Sequence, residues 1–139
     1  MGFGNTVPLN QRSEKSDLFS FSYLIFINMK ISFDFDDTLS LPEVQQIAKS
    51  YVDKGYDVWV TTARSPQSSL MYDNTEVERV CQEIGIPLDK IRYTNLKPKY
   101  LFLKGYDAHV DNDPQEIIGI QSNLPKTKAY TTLEFINNH

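Results

Sequence analysis

From Met29 onward, short β-prone apolar runs alternate with amphipathic helical stretches, and this alternation limits the possible folds more than any other feature. Ile31, Phe33 and Phe35 mark a first strand. Pro42 then opens a helix carrying Val44, Ile47, Ala48, Tyr51 and Val52 at helical spacing, and Gly55 ends it as a left-handed cap. Val58 to Thr61 reads as a second strand, a helix from about Thr75 to Ile84 is stopped by Gly85, and Ile91 to Tyr93 gives a third strand. Pro98 begins a short helix through Leu103, and Asp107 to Asp111 is a fourth strand. Pro114 starts another helix, Thr127 to Thr131 is a fifth strand, and Leu133 to Ile136 a terminal turn or helix. Strands joined through helices must run parallel, so the expected fold is α/β: a Rossmann-like three-layer sandwich around a parallel sheet of about five strands.

At 139 residues the chain has material for one core, and a net charge of -4 argues against a broad basic face for nucleic acid. Cys81 is the single cysteine, so no intramolecular disulfide can form, which fits a cytoplasmic setting. Residues 1–28 read differently from the rest, as an N-terminal tail or extension ahead of a domain spanning 29–139. Leu18 to Ile27 is apolar but shorter than the roughly 20 residues a membrane helix needs, and Glu14 and Asp17 spoil a basic signal leader. Met29 is one candidate for the natural start, with upstream read-through before it; an added edge strand or interaction tail is the other reading. No membrane partner is expected.

The first strand runs into Asp34, Asp36 and Asp37, where like charges repel unless a cation binds or a carboxyl group keeps its proton. In open α/β sheets, ligands gather at the carboxyl ends of the strands. The second strand ends in the hydroxyls of Thr61 and Thr62, the fourth in Asp111-Asn112-Asp113, and lysines precede the fourth. Acids, hydroxyl and ammonium are the groups needed for magnesium-assisted phosphoryl transfer through an aspartate. Asp34 and Asp36, two apart, would share a face in a regular strand.

This pattern resembles the haloacid dehalogenase-like (HAD) phosphohydrolases over Met29 to roughly Ile118. The resemblance rests on Asp34-Phe35-Asp36-Asp37-Thr38, on the strand ending Thr61-Thr62 with Ala63 and Arg64 as its tail, on Lys97-Pro98, and on Asp111-Asn112-Asp113. It implies Asp34 as nucleophile, Asp36 as acid/base, and Thr62 with Lys97 holding phosphate oxygens. Lys99 is the second-ranked lysine and Lys104 the third. Asp37, Ala63, Arg64 and Lys99 are carried as substrate-binding candidates, although Arg64 equally suits a surface salt bridge. The implied cofactor is Mg2+, held by the Asp34 side chain, the Asp36 backbone carbonyl and Asp111. Many relatives have adjacent acids where Asn112 stands, which leaves the role of Asp113 open. His109 shares the parity of Asp111 but reads as a packed strand histidine outside the site.

In that family a cap inserted after the first or third strand usually selects the substrate, and no stretch here can hold one. The expected protein is a capless phosphatase of a phosphomonoester: a nucleotide, a small phosphate or a macromolecular end, with the acidic balance weighing against nucleic acid. Two alternatives stand beside it. One is a catalytically silent HAD-like binding or scaffold protein; the other is a receiver-like phosphoacceptor domain, whose order of acids along the strands differs from the order here.

Overall fold

A computed structural model of the chain describes residues 29–139 apart from Ser69 and Tyr72, so the expectations placed on residues 1–28 fall outside the described residues. Five strands form one parallel sheet: β1 (Lys30–Phe33), β2 (Asp57–Thr62), β3 (Ile91–Tyr93), β4 (Ala108–Asp111) and β5 (Lys128–Thr131). Helices α1 (Pro42–Asp53), α2 (Asn74–Ile84), α3 (Pro114–Asn123) and α4 (Thr132–Asn137) connect or follow them, with short 3-10 helices at Leu88–Lys90 and Lys99–Phe102. The fold is α/β with a Rossmann-like layered arrangement, as the alternation predicts. Among the described residues no helix is long and apolar enough to cross a membrane.

Side-chain parity divides the sheet into two unlike faces. Phe33, Val60 and Val110 stand in register on β1, β2 and β4, and with Ile31, Val58 and Ala108 they form an apolar face. Val44 and Ala48 of α1, Val77, Val80 and Cys81 of α2, and Phe135 of α4 complete that core. Gly55 and Gly85, at φ 90° and 99°, end α1 and α2 in the left-handed conformation, as read from the sequence. The other face carries Ser32, Thr61 and His109, all buried, with Ser32 and Thr61 joined hydroxyl to hydroxyl at 2.6 Å. Leu103, Tyr106 and Ile120, packed with Trp59 and Tyr100, form a second, smaller core.

The strand order β3-β2-β1-β4-β5 fixes the site. The chain builds outward from β1 through β2 to β3, then returns to place β4 on the other side of β1. The reversal makes the carboxyl ends of β1 and β4 neighbours at the switch point, where α/β sheets leave a crevice. Asp34 N–H still donates to the Val110 carbonyl at 2.9 Å, so the ladder extends to the first acid of the cluster.

Candidate active site

Each site residue occupies the end of a rigid element. Asp34 follows the last residue of β1 and is buried among neighbours on both sides. The chain then turns sharply: Asp37 sits at φ 59°, its N–H donates to Ser40 Oγ at 3.0 Å, and the buried Thr38 hydroxyl meets Thr132 of α4 at 2.7 Å. Asp111 closes β4 and is fully buried. Its Oδ1 accepts from Asp113 N–H at 3.0 Å, and Asp113 caps α3 by accepting from Gln115 N–H at 2.9 Å.

Between these two acids lies Lys99. Its Nζ donates to Asp34 Oδ1 and to Asp111 Oδ2, both at 2.7 Å, with the lysine side chain only 3% exposed. Pro98 takes an extended conformation (ψ 132°), so the 3-10 helix begins at Lys99, whose N–H is capped by Glu116 Oε1 of α3 at 3.1 Å. His109 adds Nε2 against Asp111 Oδ2 at 2.8 Å. Asp111 therefore faces an ammonium, an imidazole and a backbone amide.

This packing sets the proton positions. Burial pushes Asp34 from 3.8 up to about 7; Lys99 pulls it back, and the charge of Asp111 adds to the rise. Burial opposes the Lys99 charge, but Asp34 and Asp111 outweigh it and hold its pKa above the ordinary lysine value. Burial also acts against the Asp111 carboxylate, yet His109 and Lys99 bring its pKa below the usual aspartate value. Burial lowers the pKa of His109, so Nε2–H of the neutral ring is the natural donor to Asp111. Of the two carboxyl groups sharing one ammonium, Asp34 is the one that takes up a proton first as the pH falls.

Asp36 is oriented the opposite way, with its carbonyl toward the site and its carboxylate toward Arg64. The Asn112 side-chain oxygen faces Asp34 Oδ2 at 2.8 Å and the Asp36 carbonyl oxygen at 3.2 Å, three acceptors with no donor between them. Such a corner can be satisfied in more than one way. Turned over, the amide donates from its nitrogen to both oxygens. In the unturned orientation a proton on Asp34 Oδ2 or a cation would satisfy the corner, and oxygens on adjacent vertices of an octahedral magnesium shell with bonds of about 2.1 Å lie about 3 Å apart. One carboxylate, one carbonyl and one amide oxygen are hard donors that fit this ion. Among the described residues no three His, Cys, Asp or Glu side chains gather as a metal site.

Thr62, fully buried at the end of β2, accepts from Arg64 N–H at 3.3 Å, which leaves its own hydroxyl proton available. Arg64 is buried and grips the half-exposed Asp36 carboxylate with both forks, Nε to Oδ2 at 3.0 Å and Nη2 to Oδ1 at 2.7 Å, a salt bridge at the edge of the site. Ala63 contributes backbone, its carbonyl accepting from Leu96 N–H at 2.9 Å, and Asp37 is exposed.

Three placements differ from the sequence reading. Lys97, ranked first among the lysines, is exposed, as is Lys104; Lys99 alone of the three reaches the acids. A residue before proline is held extended, which here keeps Lys97 off the helix that aims Lys99 inward. Asp111, expected at the metal, turns its oxygens to Lys99, His109 and Asp113 N–H, while its neighbour Asn112 faces the Asp34–Asp36 corner. His109, set aside as a packing residue, is bonded directly to Asp111; the two-residue spacing on β4 was the signal for it.

No family model matches the chain, and no curated protein matches it.

Proposed function

We propose that the chain is a HAD-like phosphohydrolase, a magnesium-dependent phosphatase acting on a phosphomonoester through an aspartyl-phosphate on Asp34. One observation carries the reading: Asp34 has Oδ1 on the buried Lys99 ammonium at 2.7 Å and Oδ2 beside the Asn112 side-chain amide at 2.8 Å. A nucleophilic carboxylate must face the phosphorus with its own charge and that of the substrate compensated, and this arrangement supplies both needs.

Asp34, the Asp36 carbonyl and Asn112 would hold the magnesium ion. When bound, it offsets the negative charge of substrate and nucleophile and holds the phosphate against Asp34. Lys99 and the Thr62 hydroxyl donate to the phosphoryl oxygens. Asp34 Oδ1 attacks phosphorus while the bond to the leaving oxygen breaks, and Asp36 gives that oxygen a proton. Water next attacks phosphorus, Asp36 takes its proton, and the bond to Asp34 breaks to release inorganic phosphate. Asp111 does not touch the substrate; with His109 it fixes the position and charge of Lys99.

As a neutral ligand, Asn112 lowers the charge of the metal set without removing an oxygen from it, so its presence is compatible with activity. The connections after β1 and β3 are short (Asp34–Leu41 and Thr94–Pro98), which suits an open site accepting a nucleotide or a macromolecular phosphate end. The test is hydrolysis of an aryl phosphate with and without magnesium, in the wild type and in Asp34→Asn. Magnesium-dependent turnover abolished in a folded Asp34→Asn variant supports the reading, and full activity in that variant overturns it. Acid-labile phosphate accumulating on Asp34 without turnover would instead mark a receiver-like domain.

A further inference from the structure

The sheet face opposite the main core is covered unevenly. α3 packs on it along β4 and β5, but the connection from β3 to β4 supplies no α-helix, only the 3-10 turn at Lys99–Phe102. On β2 and β3 this face carries Trp59 and Arg92, which share the parity of Thr61 through the Thr61–Arg92 pairing. Trp59 is half-buried and Arg92 exposed. Three cations crowd the indole: the Arg92 guanidinium carbon lies 4.8 Å from the ring centre, Lys30 Nζ 4.9 Å and Lys90 Nζ 5.9 Å. Lys30 Nζ also lies 4.4 Å from the centre of the Tyr106 ring, which meets Trp59 edge to face. Trp59 Nε1 donates to Asp57 Oδ1 at 2.8 Å and Lys90 Nζ to the same oxygen at 2.7 Å, so the indole is fixed and one of the cations is paired.

The other two are not. Asp107 Oδ2 accepts from the Lys30 backbone N–H at 2.8 Å, but among the described residues the Lys30 ammonium and the Arg92 guanidinium meet aromatic rings and no carboxylate. A second observation points to the same place. Tyr106 is only 5% exposed, yet its hydroxyl has no hydrogen-bond partner among the described residues. A buried phenol ordinarily finds one. Burial raises the Tyr106 pKa, Arg92 lowers it and Asp57 raises it further, so the hydroxyl stands among the charges of this cluster.

We propose that this face binds single-stranded nucleic acid, with Arg92 and Lys30 on backbone phosphates and a base stacked on the Trp59–Arg92 layer. Two unpaired cations and an unpartnered hydroxyl call for an anion rich in acceptor oxygens. The flat indole and guanidinium favour a nucleic acid over an acidic peptide, because bases stack on aromatic rings and on arginine planes. The patch is small, a footprint of a few nucleotides, in keeping with a chain of net charge -4 that has no broad basic face. None of these residues belongs to the candidate active site, so the inference stands apart from the phosphatase reading.

Trp59 is the sole tryptophan of the chain, so its fluorescence reports on this face directly. The probe is an oligothymidylate of about eight nucleotides with a hydroxyl at each end, titrated in chelator at low salt. It offers the candidate active site neither a metal nor a phosphomonoester. The expected result is saturable quenching, with affinity falling on added salt along a log–log slope of about -1.4 for two phosphate contacts. Arg92→Gln, at an exposed position, should weaken binding at least about fivefold and flatten the slope by about 0.7. Lys49→Gln removes the same charge from the exposed side of α1 and should change binding less than about twofold. Equal losses in the two variants would reduce the binding to general attraction and overturn the proposal, as would absence of quenching in the wild type. Arg92→Lys keeps the charge without the plane and should bind more weakly than the wild type; equal affinity would remove stacking from the account and overturn it. Polyglutamate of matched length quenching as strongly as the oligonucleotide would give the face to an acidic protein segment instead. Asp34→Asn should bind the oligonucleotide as the wild type does, whatever becomes of turnover, and loss of binding in that variant would move the strand to the candidate active site and overturn the assignment to Trp59.

Discussion

Replacing Lys99 with methionine removes the one cation buried between two acids. Both of its bonds measure 2.7 Å, and the exposures of Lys99, Asp34 and Asp111 are 3%, 7% and 1%. Breaking a buried ion pair by deleting one partner costs about 3–5 kcal/mol, because the charge left behind stays desolvated. Here part of that cost is avoided at low pH, where Asp34, already raised to about 7, carries a proton whether or not the ammonium is there. The native variant then binds that proton more tightly than its unfolded chain does, so its stability falls as pH rises above about 4. The destabilisation should therefore be larger at pH 8 than at pH 5, as read by urea denaturation in chelator. Lys97→Met, at an exposed position, should change stability by less than about 0.5 kcal/mol at either pH. Phosphatase activity should disappear in Lys99→Met and persist in Lys97→Met. If Lys99→Met is no more destabilised than Lys97→Met, the buried triad does not exist as described.

Further outcomes follow from the same geometry. Asp34 titrates near 7 in the folded protein and near 3.8 when exposed, so its stabilising contribution is complete below about pH 4 and is lost as pH rises through about 7. Asp34→Asn has no such loss, and in chelator it should gain on the wild type by a few kcal/mol between pH 5 and 8; parallel stability curves would contradict this. Asn112→Leu, at an exposed position, should leave the melting temperature nearly unchanged yet weaken magnesium binding at least about tenfold by calorimetry; unchanged affinity would remove Asn112 from the metal set. Burial lifts the Cys81 thiol to about 12, so iodoacetamide should label it only after denaturant is added, and rapid labelling of the native protein would contradict its packing.

The framework was legible because strand and helix periodicities differ and because proline and glycine punctuate this chain at the right places. Pro42, Gly55, Gly85 and Pro114 mark element ends that the structure keeps to within about two residues. The adjacency of Asp34 and Asp111 was not legible from spacing alone, since it depends on β4 returning beside β1 instead of continuing beyond β3. Lysine choice turned on a single backbone angle. Pro98 remains extended, the helix starts one residue later, and Lys99 takes the buried position. The restriction that proline places on its predecessor was already a reason to prefer Lys99. Arg64 could not be resolved between substrate contact and salt bridge, because its pairing with Asp36 requires the turn around Asp37 at φ 59°, a conformation uncommon outside glycine.

The most direct measurement of the central claim is the mass of the Asp34 peptide after rapid acid quench of the enzyme turning over a phosphomonoester in magnesium. The expected result is one added phosphoryl group on Asp34, present transiently in the wild type and absent in Asp34→Asn. Turnover with no phosphoryl group on any aspartate, or with the group on Asp36 or Asp111, would contradict the assignment of Asp34 as the nucleophile.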